Sequence, residues 1–169
     1  MPYTTTHVLI SILLIELYIH FFVTDKKTVP SHYLLIAAIG GVLPDLEYIV
    51  QYPNLHAAFM HSLFTPLIFF VIGILWLGGG NFSRKYKLPF VFFCFSVMSF
   101  VHILLDIVLK DGAPLLYPFS MTITSYHLFS YLPGDYIVNF IIFDSILLFL
   151  WIFWLEFKIG LSKQVLKEL

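Results

Sequence analysis

His102 and Asp106 stand four residues apart in a long apolar run, within Val101 to Ser120, VHILLDIVLKDGAPLLYPFS. On a helix that spacing puts both side chains on one face. An imidazole and a carboxylate offered together from a buried face give a divalent ion one neutral nitrogen and one anionic oxygen. Five further residues of the same chemistry recur along the chain: His7, Asp45, Glu47, His56 and His61. Carboxylates and histidines in such a set suit zinc, as one ion or a pair, with manganese as a second option. Magnesium and calcium prefer oxygen-only shells. An ion there would polarise a phosphoryl or acyl oxygen and acidify water, so hydrolysis is the natural reaction class.

The elements that must position these residues are membrane helices. The 169 residues are 60% hydrophobic and 11% charged, too little polar surface for a soluble globule. Apolar stretches run over about His7 to Val23, Tyr33 to Val50, Phe59 to Gly78, Leu88 to Leu109 and Tyr136 to Phe157. The second is interrupted by Gly40, Gly41 and Pro44, which predicts a broken or tilted helix. Gly78-Gly79-Gly80-Asn81 reads as a helix stop. With no internal repeat and no low-complexity linker, residues 1–169 read as one membrane-embedded, all-α domain: a polytopic bundle of about five transmembrane helices. Cys94, the single cysteine, lies in an apolar run and reads as packing.

Basic residues set the expected orientation. Lys26 and Lys27, then Arg84, Lys85 and Lys87, then Lys158, Lys163 and Lys167 fall in alternate segments, which places those segments in the cytoplasm. The N-terminus is then outside and the C-terminus inside. Under that topology His7, Asp45, Glu47, His56, His61, His102 and Asp106 all come to the outer end of the bundle. Glu47 and His56 read equally as ligands or as groups that orient ligands or act as the base. Glu16, His20 and Asp144 fall deeper and read as interhelical contacts, while His127 and Asp135 belong to the outer loop. A net charge of -1 with no long basic run excludes nucleic acid as the main partner, and membrane lipids are the expected one. The same cluster also fits a non-enzymatic metal-ion or proton transporter, although the paired repeats common in transporters are absent.

The ordered set Thr6-His7, Gly40-Gly41-Val42-Leu43-Pro44-Asp45-Leu46-Glu47, His56, His61-Ser62-Leu63, His102 to Asp106, Gly112, Pro114 and Leu115 to Ser120 resembles the YdjM-type membrane-bound metal-dependent hydrolases over about residues 6–120. The resemblance implies a prokaryotic inner-membrane hydrolase, distantly similar to zinc-dependent phospholipase C. It implies that Asp45, His61, His102 and Asp106 hold one zinc and that Asp106 bridges toward a second ion near His7; the expected location of the site at the membrane interface suggests a phosphoester such as a lipid head group as substrate. Three features depart from the pattern. Glu47 stands where an aspartate is usual, Ala57 and Met60 stand where the family has Arg and Thr, and no glutamate occurs between Glu47 and Glu156 to support a three-metal site.

Overall fold

The computed structural model describes residues 4–23, 32–48, 59–78, 87–109 and 112–159. Among them are five α-helices: α1 Thr4–Phe22, α2 His32–Val42, α3 Phe64–Leu77, α4 Leu88–Leu109 and α5 Tyr136–Ile159. Three-residue-per-turn helices follow α2, over Leu43–Tyr48, and precede α5, over Leu128–Tyr131. There is no strand among the described residues, only an isolated antiparallel bridge between Ala113 and Thr124.

Among the described residues, only α1, α4 and most of α5 are long and apolar enough to cross a bilayer. At 1.5 Å per residue α4 extends about 33 Å, whereas α2 reaches about 17 Å and α3 about 21 Å. The shortening is local and has two causes. Pro44 has no N–H to return to Gly40, so the α-helical ladder of α2 ends and the chain tightens through Leu43–Tyr48. The predicted third span begins at Phe64 rather than Phe59, because residues 59–63 form a turn, with Ser62 N–H donating to the Phe59 carbonyl at 3.1 Å. Gly78 ends α3 as expected.

Small residues let α2 lie between α1 and α4. A Cβ added at Gly40 would come within 3.0 Å of Met98 Cβ on α4. One added at Gly41 would collide with Ser11 Oγ and stand 2.9 Å from the His7 carbonyl oxygen on α1. Ala37 is fully buried in the same seam, and Ile15, Ile19, Cys94 and Met98 complete its core. With no strong amphipathic drive inside a membrane, close backbone approach and polar contacts carry helix association.

The helix α5 lies mostly outside this packing and is tied on by polar contacts. Thr6 Oγ1 donates to Asp144 Oδ1, and Trp154 Nε1 donates to Glu16 Oε2 at 3.3 Å. Glu16 and Asp144 are thus the interhelical contacts the sequence indicates. Asp144 nevertheless lies nearer the His7 end of the bundle than expected, level with Thr6. Phe140 of α5 packs on Leu109 near the same end of the bundle. Asp135 caps α5, its Oδ1 accepting the Ile137 N–H at 2.7 Å, and His127 pairs with Ser125 Oγ at 2.8 Å. Neither residue joins the cluster.

Candidate metal centre

Four elements deliver the cluster to one end of the bundle. His7 lies in the first turn of α1, Asp45 and Glu47 on the tight turn after α2, His61 on the turn before α3, and His102 and Asp106 on the last turns of α4. Because α1 and α3 begin where α2 and α4 end, an up-and-down arrangement brings these four segments of chain together. His56 lies outside the described residues. His7, His61, His102 and Asp106 are all buried.

The distances form a compact polyhedron. His102 Nε2 is 3.6 Å from Asp45 Oδ1 and 3.4 Å from Asp106 Oδ2. His61 Nε2 is 3.6 Å from the same Asp45 oxygen and 3.5 Å from the same Asp106 oxygen. Ligand bonds of about 2.0–2.2 Å around a tetrahedral ion give edges of about 3.3–3.6 Å. The four nitrogen–oxygen separations match such edges.

Hydrogen bonding assigns the donor atom of His102. Its Nδ1 lies 2.6 Å from the Gly41 carbonyl oxygen, which can only accept, so the proton is on Nδ1. In the neutral ring Nε2 then turns a lone pair toward the two carboxylate oxygens. It is buried and has no hydrogen-bond partner. Electron-rich atoms facing one another in a buried site are costly, and a cation among them removes the cost. The residues therefore fit a divalent metal ion. His61, His102 and Asp106 form one candidate ligand group, and His7, Asp45 and His102 form another.

The surrounding groups hold the donors in place. Thr4 Oγ1 donates to Asp45 Oδ2 at 3.3 Å, leaving Oδ1 to face the histidines. Ser99 Oγ donates to the Gly40 carbonyl at 3.4 Å, so both carbonyls of the Gly-Gly pair are held by α4. His7 stacks on His102 with ring centroids 3.8 Å apart, and its Nε2 lies 3.4 Å from Asp106 Oδ1, the oxygen not turned toward His61 and His102. Asp106 accordingly faces two sets of nitrogens, one with each oxygen.

Glu47 takes a supporting place. Its Oε2 accepts the Met60 N–H at 2.9 Å and lies 3.9 Å from His61 Nδ1, on the far side of the ring from the other carboxylates. Such a carboxylate behind a ligating imidazole sets ring orientation and basicity. Glu47→Ala is expected to weaken metal binding by about 10–100-fold, read by competition with a chromogenic chelator. Glu47→Gln keeps an acceptor for the Met60 amide and should recover most of that loss; equal affinities in all three proteins would refute the role.

Thr4 and the Gly41 carbonyl were invisible as site components in the sequence. A backbone acceptor has no side-chain signature, and the Gly-Gly pair signals a helix interruption before it signals a ligand's partner. No curated protein and no solved structure matches the chain. The family model described as YdjM inner membrane protein matches residues 1–163, nearly the whole sequence. With its long apolar helices and its inward-facing histidines and aspartates, the chain belongs to the YdjM inner membrane protein family.

Proposed function

We propose that this protein is a metal-dependent hydrolase of the membrane surface, using zinc at Asp45, His61, His102 and Asp106 to cleave a phosphoester such as a lipid head group. The observation that carries this reading is the set of four tetrahedron-like nitrogen–oxygen separations closed by a histidine whose other nitrogen is anchored to Gly41. Two neutral imidazoles and two carboxylates suit zinc better than an oxygen-preferring cation. When bound, such an ion supplies Lewis-acid polarisation of the ester and a water acidified toward neutral pH.

The chain's own residues supply the rest. His102 and His61 present their Nε2 atoms in defined orientations, one held by Gly41 and the other backed by Glu47. Asp106 Oδ1, facing His7 Nε2 at 3.4 Å, provides a place for a proton to move between carboxylate and imidazole at the edge of the site. Burial keeps bulk water from the donor atoms. The alternating basic segments of the sequence favour an extracytoplasmic site. Transport is less well supported, because deeper polar groups such as Glu16 are engaged in helix–helix contacts, and the surface between α1 and α4 is lined by Leu14, Ile15, Met98 and Val101.

The test is turnover in proteoliposomes. Release of phosphate or of a chromogenic alcohol from phosphomonoesters, phosphodiesters and phospholipids should be stopped by a chelator and restored by zinc. Asp45→Asn and His61→Ala should each lower it by about 100-fold or more. Rates equal to those of the His61→Ala protein for every ester would reject hydrolysis, and a metal flux across the vesicle wall would then favour transport.

A further inference from the structure

Within the connection between α4 and α5, residues 112–134 contain no Asp, Glu, Lys or Arg, and the charged residues Lys110, Asp111 and Asp135 stand only at its two ends. Water would ordinarily be faced by charged and polar residues at such a place. Here the outward side carries Leu116, Phe119, Met121, Ile123, Tyr126 and Tyr131, with Phe119 84% and Tyr131 81% exposed. A patch of that kind on a connecting segment marks an interaction surface rather than a solvated one.

The inner side of the segment is clamped to the bundle. Ala113 and Thr124 exchange both backbone hydrogen bonds at 3.1 Å, the Leu63 N–H donates to the Leu115 carbonyl at 3.1 Å, and the Tyr126 N–H donates to the Ile107 carbonyl at 2.7 Å. Gly112, at φ +86°, donates its N–H to the Asp106 carbonyl at 3.2 Å, and a Cβ there would collide with the Thr124 carbonyl. Fully buried Ala113 packs on Ile103 and Ile107 of α4. The segment therefore lies against both the Asp106 turn and the turn carrying His61, while Leu116, Phe119, Met121, Ile123, Tyr126 and Tyr131 remain exposed.

We propose that residues 112–134 form an interfacial plate seated in the boundary between lipid head groups and acyl chains, beside the turns that carry Asp106 and His61. Two constraints select that depth. The segment joins two helices of membrane-spanning length, so it emerges at one bilayer surface, and the helix ends it joins also expose apolar residues, Leu104 and Val108 on α4 and Ile137 and Ile141 on α5. Irregular backbone is excluded from the hydrocarbon, where its free N–H and C=O groups would find no partner, while tyrosines prefer the interface. With no charged residue between Gly112 and Gly134, and with Lys110, Asp111 and Asp135 at its ends nearly cancelling, the binding is mainly apolar, so zwitterionic and anionic lipids serve about equally and salt has little effect. The plate holds the bundle's site end at head-group level whether or not the site turns over an ester.

Cys94→Ala protein carrying Phe119→Cys or Tyr131→Cys, labelled with a small environment-sensitive fluorophore, tests the placement in phosphatidylcholine vesicles. Both positions are exposed, so the fold should tolerate them, with helix content checked by circular dichroism. A nitroxide attached near the lipid head group is expected to quench the label by about half or more. A nitroxide at the acyl end, or aqueous iodide, should quench much less, and the pattern should persist when anionic lipid is added. Strongest quenching by iodide would put the segment in water and overturn the proposal. Protection from every quencher, relieved when the chains are diluted in lipid, would show a second copy covering the face and also overturn it.

Discussion

Purified protein supplied with zinc is expected to retain about one tightly held ion per chain, and His102→Ala or Asp106→Ala is expected to lower the affinity by about 100-fold or more. Each substitution removes a donor that faces two others at 3.4–3.6 Å, and neither removes a large apolar surface. Elemental analysis of detergent-solubilised protein reads the outcome directly. His20→Ala provides the control, because His20 rests edge-on against Trp154 deeper in the bundle and should leave metal content unchanged. Thermal unfolding gives a second readout. At zinc about 100 times Kd the ion should add about 2.7 kcal/mol to stability, an increment absent from the His102→Ala protein. Wild-type protein that stays folded yet binds no divalent ion after supplementation would reduce the cluster to a hydrogen-bonded helix junction.

Gly41→Ala is expected to be the most damaging methyl addition among the helical glycines. Alanine is the better helix former by about 1 kcal/mol, so the substitution would stabilise an isolated α2. Packing opposes it. The new methyl meets Ser11 Oγ and the His7 carbonyl at 2.9 Å, and a backbone oxygen inside a neighbouring helix cannot swing aside. Overpacking of this kind costs about 1–3 kcal/mol, which outweighs the propensity gain. The same displacement separates α1 from α2 and moves both His7 and the carbonyl that holds His102 Nδ1. Metal affinity should therefore fall together with the melting temperature. At Gly78 a Cβ meets, among the described residues, only the Leu75 carbonyl, at 3.8 Å, and Gly78→Ala should be neutral or slightly stabilising. Equal stability of the two alanine proteins would show that the α1–α2 seam is looser than its geometry implies.

Much of the site was legible because its signals are local or additive. Composition alone requires a membrane environment, and the four-residue spacing of His102 and Asp106 places them on one helix face. Alternating basic segments bring His7, Asp45, Glu47, His61 and the His102–Asp106 pair to one end before any packing is known, and the structure gathers them there. Pro44 after two glycines marks where α2 breaks. Apolar runs overstate helix length, however. Hydropathy cannot distinguish the turn of residues 59–63, which carries His61, from the helix that follows it.

What only the tertiary structure decided is which atoms meet. His102 could have presented either nitrogen; a carbonyl from another helix selects Nε2. Glu47 carries the same charge as Asp45, yet it lies behind His61 because the Met60 amide captures it. Asp144, deep by sequence position, stands beside Thr6, so a position more than two turns into α5 meets the first turn of α1. Residue type and period determine the chemistry available and the face on which it lies. Relative height, rotation and backbone partners follow from how helices far apart in sequence pack, and no local pattern encodes that.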